Sequence, residues 1–143
     1  MSRKDLLQGR HNRQENMHGY IVKRHGQPVK RYVQILQLKD DPASLAAYRR
    51  VHSREEFWPE IKQGILEVGI LEMELYMYGS CEVMIVETPV DFDWDLAMAR
   101  LARLPRQQEW EDFVARFQQC RMGDTSDEKW KKMDRFFYLY EDL

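Results

Sequence analysis

Tyr48 and His52 are the residues of this sequence whose types and spacing most suggest chemistry. The chain has 143 residues, and His52 is its only histidine outside the first thirty positions. Tyr48 precedes it by four, a spacing that places both side chains on one face of a helix. An imidazole with a pKa of about 6.5 can take up or release a proton at neutral pH. The pair predicts proton transfer, while the alternative is an exposed helical histidine without a catalytic role.

Large aromatic residues follow His52 on segments that are predicted to pack around one sheet. They are Trp58, Tyr76, Tyr78 and Trp110. Aromatic faces cover the apolar C–H side of a sugar ring, while hydroxyl and imidazole groups bond its oxygens. Phe113 and Phe117 are better explained as ordinary core. We therefore expect a site that suits a neutral polyol.

Several other functional classes lack their signatures. The sequence contains no glycine-rich phosphate loop, no GxSxG, no HExxH and no CxxC. The body offers one histidine, which argues against a transition-metal site, so we expect no metal. The segment CEVMIVET (81–88) lacks the aromatic residues by which RNA-binding proteins of related topology stack bases.

Charge is distributed unevenly along the chain. The first 31 residues carry eight basic and two acidic side chains, a net charge of +6. The rest of the chain therefore carries −8 of the total of −2. We expect residues 1–30 to form a basic, flexible extension and residues 31–143 to form a single domain. The acidic body would repel a phosphate backbone, so no nucleic-acid partner is expected.

The two cysteines and the hydropathy pattern bear on the compartment. Cys81 and Cys120 fit neither a metal spacing nor a disulfide framework. We interpret them as free thiols in a reducing compartment, which predicts a cytoplasmic location. The sequence shows no apolar run of about 20 residues and no secretory signal, so no membrane association is expected.

Hydrophobic periodicity predicts four strands and four helical segments. The strands are expected at 31–38, 70–78, 81–88 and 135–140. The helices are expected from Asp41 towards His52, from Trp58 to Gly69, over 93–104 and around Trp110 to Phe117. This order is that of a ferredoxin-like βαββαβ unit of the α+β class. Helices would cover one sheet face, and the other face predicts a homodimer, as in dimeric α+β barrels.

The segment YRRVHSREEFWPE (48–60) resembles the signature of the L-rhamnose mutarotase family, with Tyr-x-x-x-His followed by Trp-Pro-Glu. Later segments resemble the family in the same order: YMYGSCEVMIVE, DFDWD, EWEDFVARFQ and EKWKKMDRFFYL. The resemblance extends over about residues 30 to 140. It implies a dimeric, ferredoxin-like, cofactor-free enzyme that interconverts the α and β anomers of a 6-deoxy sugar.

The resemblance also implies roles for individual residues. The family's catalytic histidine matches His52, and its sugar-binding tyrosine matches Tyr48. Of its paired tryptophans, the second matches Trp110, while the first position holds Glu109. The family's tyrosine on the second strand falls near Met73, with Tyr76 as a possible substitute.

Two departures from the family pattern bear on the substrate. His52 and Trp58 are separated by two more residues than in the enzyme that defines the family. The Glu-Trp pattern at 109–110 resembles a subgroup of L-fucose mutarotases. Glu109 would then contact the sugar, and L-fucose stands close behind L-rhamnose as the expected substrate.

The expected chemistry is simple proton transfer. One proton leaves the C1 hydroxyl and one reaches the ring oxygen, with His52 as acid and base and Tyr48 or a water as second relay. Two other classes stay open. One is a cofactor-independent monooxygenase with the same barrel fold, and the other is a non-enzymatic module that binds a sugar or a protein.

Overall fold

The computed structural model describes residues 18–140, and its centre is a four-stranded antiparallel sheet. The strands are β1 (Val29–Gln37), β2 (Glu72–Tyr78), β3 (Cys81–Pro89) and β4 (Lys131–Lys132). Their order across the sheet is β2-β3-β1-β4. Together with the helices between the strands, this order confirms the predicted ferredoxin-like α+β fold.

Five helices connect the strands. They are α1 (Pro42–Val51), α2 (Pro59–Glu67), α3 (Trp94–Leu101), α4 (Gln107–Ala115) and α5 (Ser126–Lys129). The third is shorter than the predicted 93–104, because the chain after Leu101 continues in turns rather than in α-helix. Within residues 18–140, no helix has the length and apolar character that crossing a bilayer would require.

Helix α1 begins where the sequence predicts it. The Asp41 carboxylate accepts a hydrogen bond of 2.8 Å from the backbone N–H of Ser44, and Pro42 occupies the first turn. Such a cap satisfies a backbone donor that the helix itself leaves free. The helix ends at Val51, and His52 forms its C-cap. The predicted Tyr48–His52 pair therefore spans the last helical turn.

The strand pairing decides which side chains face the helices. Gly79, with a φ of 59°, allows the tight turn between β2 and β3. Alternate residues of β3 point to the helix side, where Glu82, Met84, Val86 and Thr88 are buried. Their neighbours on β3 lie on the opposite sheet face and are half-buried. We call this second side the open face.

Two hydrophobic clusters lie between the helices and the sheet. One surrounds Val86 and is closed by Trp94 and Met98 of α3. The other surrounds Leu38 and is formed by α1, α2 and α4. Its buried members are Leu38, Tyr48, Val51, Ile61, Trp110 and Val114. The second cluster positions the candidate site.

The predicted last strand at 135–140 is wrong. Only Lys131 and Lys132 pair with β1, and the backbone N–H of Met133 adds one more hydrogen bond to Val33. Beyond them the chain leaves the sheet, and Phe136 is 99% exposed. Aromatic residues with strong strand preference form a strand only where a partner surface covers them, and this chain alone supplies none there.

Residues 18–28 run beside the open face without regular structure. Tyr20 contacts Tyr76 edge to face at 5.7 Å, and His25 Nε2 lies 3.3 Å from a carboxylate oxygen of Glu72. The predicted extension of residues 1–30 falls partly outside the described residues. The proposed boundary at residue 31 stays a prediction, although β1 already begins at Val29.

Candidate active site

His52 is held by a hydrogen bond to its own helix. Its Nδ1 lies 2.7 Å from the backbone oxygen of Tyr48. A carbonyl oxygen can only accept, so Nδ1 carries the hydrogen, and Nε2 of the neutral ring is left with a free lone pair. Burial lowers the pKa of His52 below its ordinary value. The imidazole is therefore neutral near pH 7 and can accept a proton at Nε2.

Aromatic rings surround the imidazole. The Tyr48 ring lies 4.6 Å from it, Trp110 meets it edge to face at 5.3 Å, and Phe57 stacks on it at 5.9 Å. Trp58 in turn meets Trp110 edge to face at 5.1 Å. These rings come from α1, from α4 and from the segment between α1 and α2. They form an apolar wall around one proton-accepting nitrogen, which suits the C–H side of a sugar ring.

The Tyr48 hydroxyl is anchored in a buried polar cluster. It donates to the carboxyl group of Glu82, with both oxygens at 2.9 Å, and it accepts from Nε2 of Gln118 at 3.2 Å. All three side chains are buried, and Glu82 is only 1% exposed. Tyr48 therefore links β3 to His52, because its hydroxyl bonds the strand and its backbone oxygen bonds the imidazole.

Burial governs the protonation of this cluster. Removal from water raises the pKa of Glu82 to about 8, against the smaller opposing effects of the Tyr48 hydroxyl and the charge of Lys129. Burial, with Glu82 as the next contributor, holds the pKa of Tyr48 well above its ordinary value. Near pH 7 the fully protonated forms of both groups are thus favoured.

A second buried polar cluster lies beside the first. Lys129 Nζ donates two hydrogen bonds to Glu111, one of 3.0 Å to a carboxylate oxygen and one of 2.6 Å to the backbone oxygen. Gln107 Nε2 donates to the other carboxylate oxygen of Glu111 at 2.6 Å. The contact between Lys129 and Glu111 connects α5 to α4, the helix that carries Trp110.

Tyr76 is not brought to His52. Met73, Leu75 and Met77 of β2 face the helices, and Tyr76 lies between two of them in the strand. Its ring therefore points to the open face. Its hydroxyl donates to Glu74 at 2.7 Å, and this hydrogen bond is the main reason that its pKa rises to about 12. Within one chain, the sheet separates Tyr76 from the imidazole.

Glu109 pairs with Arg106 rather than with His52. Its carboxylate accepts from Arg106 at 2.7 Å, and its side chain is 60% exposed. Arg106 in turn lies 4.1 Å above the Trp58 ring and pairs with Glu60 at 3.3 Å. The predicted site residues therefore divide into two groups: Tyr48, His52 and Trp110 meet, whereas Tyr76 and Glu109 do not join them.

Sequence reasoning missed Glu82, Gln118 and Phe57. The signal for Glu82 was present, because strand alternation puts it on the same face as Met84 and Val86. A carboxyl group on the buried face of a central strand needs a partner. Phe57 lies five residues after His52, but no local pattern marks its ring as a partner of the imidazole. Gln118 follows α4 and reaches Tyr48 across 70 positions of the chain.

Solved structures of similar fold include two from bacteria. An L-rhamnose mutarotase from Formosa agariphila superposes with a TM-score of 0.59 at 19% identity, covering 78% of this chain and 99% of that one. The tetracenomycin F2 cyclase of Streptomyces glaucescens, a type-II polyketide cyclase, superposes with a TM-score of 0.52 at 18% identity. It covers 79% of this chain and 99% of its own. At these identities the likeness concerns the fold.

Sequence comparison is more specific. An L-fucose mutarotase from Xanthomonas campestris pv. campestris is 37% identical over 113 residues, which cover 79% of this chain and 90% of that protein. The family model described as L-rhamnose mutarotase matches residues 31–139. Mutarotases of this kind are isomerases that act on the anomers of carbohydrates. The chain belongs to the L-rhamnose mutarotase family.

Proposed function

We propose that this enzyme interconverts the α and β anomers of a 6-deoxy-L-hexose, with His52 as the acid and base and without a cofactor. The observation that carries the proposal is the hydrogen bond from His52 Nδ1 to the Tyr48 backbone oxygen. It directs Nε2 away from the helix as a neutral base among Tyr48, Phe57 and Trp110.

Proton transfer alone is sufficient for this reaction. Nε2 of His52 removes the C1 hydroxyl proton, the bond from C1 to the ring oxygen breaks, and the ring oxygen gains a proton. The aldehyde rotates about the C1–C2 bond and closes on its other face, with the protons returned. General acid–base catalysis contributes about 10²–10⁴-fold. Because free sugars already mutarotate slowly in water, such an acceleration is a useful activity.

L-Fucose is the first substrate to test, with L-rhamnose beside it. The relative that is 37% identical is an L-fucose mutarotase, whereas the family model has the name of L-rhamnose mutarotase. The two sugars share a methyl group at C5 and differ in their ring hydroxyl configurations. The aromatic wall supplies the apolar contacts that a C5 methyl group favours.

We also infer a cytoplasmic homodimer. Half-buried aliphatic residues line the open face: Val33, Ile35, Val83 and Ile85. A second copy of the same sheet would cover them. Cys81 and Cys120 are free thiols, a state that a reducing compartment maintains.

Saturation-transfer NMR tests the reaction directly. Saturating the α-anomer signal of L-fucose or L-rhamnose should diminish the β-anomer signal when wild-type enzyme is present. We expect the His52→Ala variant to lose this exchange by about 10²–10⁴-fold, the contribution of a general acid–base group. L-Galactose and L-mannose, the 6-hydroxy counterparts of the two sugars, test whether the methyl group matters.

His18→Ala is the matched control, because His18 is exposed and outside the aromatic wall. It should exchange both anomers at the wild-type rate. Exchange at the wild-type rate in the His52→Ala variant would contradict the assignment of His52. Wild-type enzyme that binds the sugars without exchanging them would contradict the proposed activity itself.

A further inference from the structure

Glu82 is a buried acid that the mechanism so far does not use. It is the second residue of the inner strand β3, and both of its oxygens are 2.9 Å from the Tyr48 hydroxyl. Its neighbours across the sheet on the same face, Leu36 on β1 and Met77 on β2, are apolar. An aliphatic side chain would suit this position better for stability alone, because burying a carboxyl group costs free energy.

The Tyr48 hydroxyl has one proton and two lone pairs to distribute. Gln118 occupies one lone pair at 3.2 Å. If Glu82 carries a proton, the hydrogen bond that Tyr48 donates to it can reverse: the carboxyl group then donates to the second lone pair of Tyr48, and the phenolic proton is free for another acceptor. If Glu82 is ionised, it can only accept, and it holds the phenolic proton to itself. The state of Glu82 thus decides whether Tyr48 is a free donor.

We propose that Glu82 is a positioning residue that acts through Tyr48, making its hydroxyl the donor to the sugar ring oxygen and replacing the proton that it gives up. The proposal rests on the proposed function, since it assigns the second proton transfer that His52 leaves open. Tyr48 is the neighbour of His52: its ring lies 4.6 Å from the imidazole, and its backbone oxygen accepts the hydrogen bond of Nδ1.

Three proton transfers accompany the opening of the sugar ring. Nε2 of His52 takes the proton of the C1 hydroxyl, and a C=O bond forms at C1. The bond between C1 and the ring oxygen breaks, and its electron pair stays on the ring oxygen. That oxygen takes the Tyr48 proton, while the carboxyl proton of Glu82 moves to Tyr48. The products are the open-chain aldehyde, imidazolium and carboxylate, and ring closure reverses each transfer.

The surroundings favour the starting protonation states. Burial raises the pKa of Glu82 to about 8 and lowers the pKa of His52. The other ionisable groups facing this cluster are Tyr48 on α1, Glu111 on α4 and Lys129 on α5. Lys129 opposes the rise for Glu82, but its amino group is bound to Glu111 at 3.0 Å. Between the two pKa values, His52 is a free base and Glu82 holds a proton.

The test is the pH dependence of kcat/KM for anomer exchange, corrected for spontaneous mutarotation, from about pH 5 to about pH 10. Wild-type activity should rise as His52 loses its proton. It should then fall roughly tenfold per pH unit above about pH 8, as Glu82 loses its own. Glu82→Gln and Tyr48→Phe should both lack the alkaline fall and keep the acidic rise.

Glu87→Gln is the matched control, since Glu87 lies on the same strand but on the open face, where it pairs with Arg31 at 2.7 Å. Its pH profile should equal that of the wild type. The proposal is overturned if the wild type lacks the alkaline fall, or if either Glu82→Gln or Tyr48→Phe retains it. A purely structural role for Glu82 would lower activity in its variant without removing that fall.

Infrared difference spectra between about pH 7 and about pH 9.5 test the carboxyl group without relying on activity. The wild type should show the C=O band of a protonated acid at the lower pH. The band should be absent in Glu82→Gln and shifted in Tyr48→Phe. A wild type without this band, or a band unmoved in Tyr48→Phe, overturns the inference. Inactivity of the wild type on every sugar, by contrast, refutes only the proposed function.

Discussion

At the scale of single residues, a notable feature is the set of polar side chains that the protein buries. Glu82, Gln118, Gln107, Glu111 and Lys129 are all buried. Each has a hydrogen-bond partner, as buried polar groups require. The two clusters differ in kind, however. Glu82 faces a neutral hydroxyl, whereas Glu111 faces the ammonium group of Lys129.

Lys129→Met should therefore be costly, because it leaves Glu111 buried without its counter-charge. We expect the free energy of unfolding to fall by about 3 kcal/mol at neutral pH. The loss should shrink towards about pH 5, since the carboxyl group can then take up a proton in the folded state. Urea unfolding at several pH values measures both effects.

The exposed pair of Arg100 and Glu67 provides the comparison. Their side chains are 57% and 45% exposed, and the charges are 3.3 Å apart. Arg100→Met should cost less than about 1 kcal/mol, as for other surface ion pairs. An equal loss in the two variants would show that the buried pair contributes no more than the exposed one.

At the scale of elements, helix α1 and the strand β3 matter most to the site. A side-chain cap at Asp41 sets where α1 begins, and ten residues later it ends against the sheet with His52 as its C-cap. The central strand β3 supplies the acid that meets Tyr48. In the described part of the segment before β1, residues 18–28, Tyr20 and His25 contact side chains of the open face.

Removing residues 1–28 should leave anomer exchange unchanged, because the sheet separates the contacts of Tyr20 from His52. Stability should fall by about 1 kcal/mol, the typical worth of an aromatic pair. Exchange NMR and urea unfolding on the shortened protein measure the two quantities. Tyr20→Ala in the full chain should reproduce most of the stability loss. A loss of exchange on truncation would instead link this segment to the site.

At the scale of the whole molecule, the helices cover one side of a single sheet. The open face presents aliphatic residues, and the last described residues expose Phe136 and Phe137 at 99% and 71%. When helices cover only one face of a sheet, a second surface packs on the other face in α+β proteins. The inferred occupant is a second copy of this chain.

Sedimentation velocity should thus give a dimer for the wild type and a monomer for Val83→Asp, because a charge at the centre of the open face cannot be buried unpaired. Leu96→Asp is the control. It makes the same kind of change on α3, where the side chain is 69% exposed, and it should remain dimeric. A wild-type monomer at all concentrations would rule out the inferred assembly.

Local patterns in the sequence were sufficient for three of the four strands and for the helices α1 to α4, and hence for the fold class. Alternation placed Met73, Leu75 and Met77 on one face of β2, and a cap and a proline marked the start of α1. These signals act over a few residues, so they can be interpreted without a structure. The Tyr48–His52 spacing belongs to the same class, because one helical turn fixes it.

Only the tertiary structure shows the contacts between residues that lie far apart in the chain. Glu82 meets Tyr48 across 34 positions and Gln118 meets it across 70. No local pattern encodes such distances, since they follow from how α1 and the segment after α4 pack on the sheet. For the same reason, the sequence could not separate Glu109 from His52, whereas alternation along β2 already places Tyr76 on the face opposite Met73, Leu75 and Met77. The prediction of a strand at 135–140 was wrong because residues of high strand propensity also need a surface to pack on, and a single chain offers none there.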